Sequence, residues 1–141
     1  MTDRIFYKQS NGKIAMLSPS ENVTLEQILN DMPEIEEYLV VEEENVPSPT
    51  NLLNFFDALT MDVERSLIDF DISIAREITK DRLRREREPL FVKNDILIRD
   101  AQIENDAEKL AEGIAERNRL RDITLLPDSI TSLDELRSLH L

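Results

Sequence analysis

Residues 73–104 read SIAREITKDRLRREREPLFVKNDILIRDAQIE, and residues 105–124 continue NDAEKLAEGIAERNRLRDIT. Ala75, Ile78 and Leu83 recur among charges at helical spacing, and Leu90, Leu97 and Ala101 continue the stripe, with Phe91, Ile98 and Ile103 beside it. Glu77 and Lys80, Asp81 and Arg85, and Asp95 and Arg99 are three or four residues apart, so each pair can meet on a helix surface. Pro89 interrupts the pattern. A proline inside a helix removes one hydrogen bond and crowds the preceding turn, which predicts two helices meeting near Glu88 or one kinked helix. Ile103-Glu104-Asn105-Asp106 reads as a turn, and Asp106 as the cap of a second helix. Ala107, Leu110, Ala111 and Ile114 give that helix its apolar stripe, with alanines small enough for close approach. The second helix is expected to end near Thr124, before Pro127. Ser132-Leu133-Asp134-Glu135 is a capping box that starts a short last helix carrying Leu136 and Leu139.

Before residue 73 the periods shorten. Ile5-Phe6-Tyr7 and Ile14-Ala15-Met16-Leu17 flank Asn11-Gly12, a strong hairpin signal, because a type I′ turn needs positive φ at both central residues. Thr24 and Gln27 form a capping box for a short helix, Pro33 marks its end or a restart, and Tyr38-Leu39-Val40-Val41 reads as a buried strand. Val46-Pro47-Ser48-Pro49-Thr50 reads as a linker. In 51–71 two periods compete. Leu52, Phe56, Leu59, Val63 and Leu67 fit a helix, whereas Ile68, Phe70, Ile72 and Ile74 alternate with polar residues as in a strand. The preferred reading is a second hairpin, 56–61 with 67–71, and the amphipathic helix is the competing one. The sequence therefore predicts an α+β protein: a small β-β-α-β unit in 1–46, a linker and second hairpin in 47–72, and an antiparallel helical hairpin with a short last helix in 73–141.

Charge limits what such a chain can bind. The 141 residues carry a formal net charge of -13, with 33% charged and 40% hydrophobic residues, which suits extended helices over a modest core. Residues 20–50 contain nine acids and no Lys or Arg, whereas 72–124 is balanced. Nucleic-acid backbones and anionic membranes both recruit basic surface, so neither is an expected partner. With no cysteine, disulfides and thiolate sites are excluded. No apolar run follows a basic start, so no signal peptide is expected, and no stretch reaches the length of a membrane span.

Candidate chemistry is sparse. The one histidine, His140, is penultimate, where chains usually fray. Asp69 and Asp71 would share one strand face, as a carboxylate pair requires, but such a face is normally just solvated. Glu42-Glu43-Glu44 lacks the alternation and the glycine of a calcium loop. Arg82, Arg84, Arg85 and Arg87 form a basic run, yet Asp81, Glu86 and Glu88 interleave with it and no stacking aromatic lies inside it. That pattern describes a salt-bridged helix face, with an arginine interface to an acidic partner as the alternative. Two glycines cannot build a phosphate cradle. No catalytic residue, metal site or cofactor is expected, and the protein reads as a non-enzyme.

The ordered set Ala75-Arg76-Glu77-Ile78, Asp81-Arg82-Leu83-Arg84, Arg87-Glu88-Pro89-Leu90 and Leu120-Arg121-Asp122-Ile123-Thr124, followed by the Asp134-Glu135-Leu136 helix, resembles small proteins encoded beside tail-fibre genes in tailed bacteriophages and prophages, known as tail-fibre assembly proteins or tail assembly chaperones. The likeness spans about residues 55–136. Such proteins often carry a Trp-Pro element after the last short helix, whereas this sequence has no Trp. The resemblance implies a chaperone or adaptor that binds a trimeric tail-fibre protein and assists its folding, trimerisation or attachment. It implies work in the host cytoplasm during assembly, or retention in the virion tail as a structural component. An acidic DNA-mimic inhibitor is a further alternative, against which the neutral helical half argues. Arg84, Arg87, Leu90, Phe91, Leu97 and Ile98 are the expected partner-binding residues, and self-association through the hairpin is a second expectation.

Overall fold

The computed structural model describes residues 3–141; Met1 and Thr2, where the first expected unit begins, lie outside them. The chain divides into two compact units, one up to Asp71 and one from Ile72 to Leu141. The class is the expected one: antiparallel strands and short helices first, then a long helical hairpin and a short last helix.

In the first unit β1 (Arg4–Lys8) lies between β2 (Ile14–Leu17) and β3 (Tyr38–Val41), antiparallel to both. The hairpin forms around Asn11-Gly12, but not as a type I′ turn. Only Gly12 has positive φ, at 82°. Its N–H donates to the Gln9 carbonyl at 2.9 Å, and Asn11 Oδ1 accepts from Lys13 N at 2.9 Å. One left-handed glycine after an ordinary turn closes the strands with one more residue than a two-residue loop uses. Helix α1 (Leu25–Asp31) starts at the capping box, with Thr24 Oγ1 accepting from Gln27 N and Gln27 Oε1 from Thr24 N.

The expected linker is partly a helix, α2 (Pro49–Phe55). Ser48 Oγ accepts from Asn51 N at 3.2 Å and Pro49 occupies the first turn, where its missing N–H costs nothing. Beyond a short 3₁₀ turn, β4 (Leu59–Asp62) pairs with β5 (Leu67–Phe70) in a two-stranded hairpin, slightly shorter than predicted. Helix and hairpin thus follow one another in the stretch where their periods compete. The core gathers Phe6, Leu39, Val41 and Leu59, with Met16, Leu52, Phe56 and Phe70 packed around them. Each such side chain contributes about 1.5–3 kcal/mol by leaving water.

The second unit is built on α3 (Ile72–Glu104), one helix of 33 residues that runs through Pro89. The returning helix of the hairpin is α4 (Ala107–Asp122), followed by a 3₁₀ segment (Ile123–Ser129) and α5 (Leu133–Ser138), with Ser132 at its N-cap. α4, the 3₁₀ segment and α5 all pack on α3. At the open end of the hairpin the core is Ala75, Thr79 and Leu83 of α3 with Leu120, Ile123, Pro127 and Leu136. Toward the turn it thins to Asn94, Ile98, Ala101 and Gly113. The expected α4 stripe is not the buried one: Ala107, Ala111 and Ile114 are exposed, and Gly113 and Leu120 face inward. Of the expected ion pairs, Glu77–Lys80 forms at 3.1 Å, whereas Asp81 takes Arg84 in place of Arg85. Arg99 reaches Asp100, not Asp95.

Candidate functional site

The hairpin turn is set by backbone geometry. Asn105 takes a left-handed conformation (φ 54°), its N–H bonds the Gln102 carbonyl, and Asp106 N bonds the Ala101 carbonyl at 2.9 Å. That is a Schellman C-cap with asparagine in the place glycine usually holds. Asp106 then caps α4, its Oδ1 accepting from Lys109 N at 3.1 Å.

From the turn the helices run back in close contact at one point. A Cβ built on Gly113 would lie 2.6 Å from Ile98 Cγ1, so this crossing tolerates only hydrogen on α4. Asn94 is buried there and its Nδ2 donates to the Gly113 carbonyl at 2.8 Å. Beside the crossing a groove of about 420 Å³ opens between α3 and α4. Its apolar side is Leu97, Ala101 and Gly113. Leu97 is 56% exposed, while its neighbour Ile98 is 9% exposed. Four carboxylates, Asp100, Glu104, Glu112 and Glu116, border the groove against one ammonium, Lys109. Glu104 meets Lys109 at 3.5 Å, and Glu116 forms a two-pronged pair with Arg119 at 2.7 and 2.9 Å. The Arg119 hydrogen bonds hold the Glu116 carboxyl below its ordinary range. Glu112 has no ion pair among the described residues. Exposed pairs of this kind are worth a fraction of a kcal/mol, so an arriving cation can exchange with them at little cost.

Arginines at the other end have a different task. Arg76 Nε donates to the Ile130 carbonyl at 2.8 Å, and Arg82 Nη2 donates to the carbonyls of Leu136 (3.1 Å) and Leu139 (2.6 Å). Arg87 Nη1 donates to the carbonyls of Leu120 and Arg121, both at 3.0 Å, and its guanidinium lies 5.1 Å from the Phe91 ring centre. Helices leave their last carbonyls without intrahelical donors, and Arg87 supplies them at the end of α4, Arg76 after the 3₁₀ segment and Arg82 at the end of α5. Lys80 adds ion pairs to Glu77 and Asp128, and these hydrogen bonds raise its pKa above the ordinary value.

The six expected partner residues therefore divide. Arg87 and Ile98 are engaged within the chain, and Leu90 and Phe91 are half-buried. Arg84 is exposed and paired with Asp81, and Leu97 stands open at the groove. The acidic border was missed by sequence reasoning. Asp100, Glu104, Glu112 and Glu116 do recur at helical spacing, but balanced neighbouring charges hide them. His140 Nδ1 lies 3.1 Å from Arg82 Nη1. Asp69 Oδ1 accepts from the following Phe70 N, and Asp71 lies beyond the end of β5. Glu43 and Glu44 sit in a 3₁₀ turn. Among the described residues no group of three acidic, His or Cys side chains is arranged to hold a metal, and no helix is long and apolar enough to cross a membrane.

No family model matches the sequence, and neither curated proteins nor solved structures give a match.

Proposed function

We propose that this chain is a binding protein, not an enzyme, and that its helical hairpin docks a segment of another polypeptide in the groove between α3 and α4. The observation that carries the reading is Leu97, an exposed leucine on the wall of a groove bordered by four carboxylates. An apolar wall with a charged rim is the usual layout of a protein-docking patch. The occupant it suits presents an apolar side chain flanked by Lys or Arg. Two of the four arginines in the basic run of α3, Arg82 and Arg87, bond backbone carbonyls of the same chain and a third, Arg84, pairs with Asp81, which supports a polypeptide partner.

In this reading the partner is a tail-fibre subunit, as the resemblance implies, and the chain assists its folding, trimerisation or attachment. Work in the host cytoplasm follows from that role. Co-expression with the tail-fibre protein of the same phage genome tests it, with size-exclusion chromatography to follow the complex. The chain is expected to co-elute with the fibre subunit and to keep it soluble, and Leu97→Asp to abolish co-elution while leaving the helical circular dichroism intact. A fibre subunit that folds, trimerises and stays soluble alone, with no co-elution, overturns the proposal.

A further inference from the structure

A second apolar surface of α3 lies outside the groove and shares only Asp100 with its border. Val92, Ile96 and Ile103 of α3 are 57%, 46% and 73% exposed, and none of them lines the groove. With Arg99 they are spaced four, three and four residues apart, which puts all four on one helix face, away from the buried row Asn94, Ile98 and Ala101. The order four-three-four reads the same in both directions. A helix with such a face can therefore meet an inverted copy of itself residue for residue.

The inversion that exchanges 92 with 103 also exchanges 96 with 99, and it brings each flanking charge within one or two residues of an opposite one. We infer that α3 docks antiparallel against α3 of a second copy of this chain, across a two-fold axis near Leu97. Val92 then lies beside Ile103 of the second copy, Lys93 faces Asp100 of the second copy, and Asp95 faces Arg99 of the second copy. Each contact occurs twice, as two-fold interfaces require. A parallel pairing would instead set Lys93 against Lys93 and Asp95 against Asp95. Within the chain these charges are available. Among the described residues no ion pair engages Lys93 or Asp95, and Arg99 reaches only its neighbour Asp100, at 3.9 Å with both side chains exposed. The i to i+4 pairing of Asp95 with Arg99 that the sequence offers is not made.

Sedimentation equilibrium of the full chain at about 1 to 100 µM, the range in which a modest interface dissociates, tests the inference. The expected result is a concentration-dependent species of twice 16.4 kDa. Ile96→Glu should leave only monomer, with the helical circular dichroism unchanged because Ile96 is exposed. Lys93→Glu and Asp100→Lys should each weaken the dimer about tenfold or more, since each sets like charges face to face. The combination Lys93→Glu with Asp100→Lys should restore it. Should Ile96→Glu unfold the chain, the exposed charge pair decides. A monomer across the whole range, a dimer indifferent to Ile96→Glu, or a double swap that fails to restore association overturns the inference.

Discussion

Replacing Gly113 by alanine sets two effects of known sign against each other. In an exposed helix interior, alanine is better than glycine by about 1 kcal/mol, because glycine loses more backbone freedom on folding. At position 113 the added methyl would sit 2.6 Å from Ile98 Cγ1 and 3.5 Å from Cδ1. Carbon atoms prefer separations of roughly 3.5–4.0 Å, so about 1 Å must be found. Ile98 cannot give it cheaply, because it is buried and a β-branched side chain on a helix has one favoured χ1. Moving the helices apart stretches the 2.8 Å bond from Asn94 to the Gly113 carbonyl. Overpacking costs about 1–3 kcal/mol and a strained buried hydrogen bond about 1 kcal/mol more. Gly113→Ala is therefore expected to destabilise by about 1–3 kcal/mol after its propensity gain, read by urea unfolding of the helical circular dichroism. Ile98→Ala alone should cost about 2–4 kcal/mol. The two together should cost less than their sum by about 1 kcal/mol, because the new methyl occupies part of the space that isoleucine vacates. A Gly113→Ala protein more stable by about 1 kcal/mol, with additive double-variant behaviour, would refute the close crossing.

Other perturbations follow from the same contacts. Arg82→Ala removes the guanidinium that donates to the Leu136 and Leu139 carbonyls at the end of the last helix and should cost about 2 kcal/mol, with residues 133–141 becoming labile to limited proteolysis; Arg82→Lys should not rescue, since a single ammonium cannot reproduce the guanidinium fork. Ser66 has φ 52° in the β4–β5 turn, so Ser66→Gly should raise stability by about 0.5–1 kcal/mol, measured by denaturant midpoint. The pH dependence has a definite sign at each end. Glu116 and Asp122 are held low by Arg119 and Arg121, so their stabilisation is present above the ordinary 4.5 and 3.8 and is lost as pH falls through the lower folded values. Lys80 is held above 10.5 by Asp128 and Glu77, so its share is present below 10.5 and lost as pH rises beyond it. Thermal midpoints should show these three groups contributing no slope between about pH 5 and 9.

Elements with a local chemical signal were legible in the sequence. Capping residues Thr24, Asp106 and Ser132, the Asn11-Gly12 turn and the apolar run 38–41 each marked an element that forms. Ser48-Pro49 carried an equally local signal, a cap followed by a first-turn proline, but the nearby Pro47 made it read as a linker. Pro89 breaks nothing because packing on both sides, from Leu83 to Ile98, holds one helix despite the missing bond. The face of α4 was misjudged because counting apolar residues overlooks glycine, and it is Gly113 that meets α3. Arginines bonded to carbonyls 33 to 57 residues away leave no local trace, so Arg87 read as a surface residue. The groove needs two helices in register, and only Leu97 of its lining was foreseen.

Hydrogen–deuterium exchange of the chain, alone and with the proposed tail-fibre partner present, tests the central claim most directly. Slowed exchange should concentrate in residues 94–104 and 109–116, on the two walls of the groove. Protection confined to residues before Asp71, or a stable complex that leaves both helices unprotected, would contradict it.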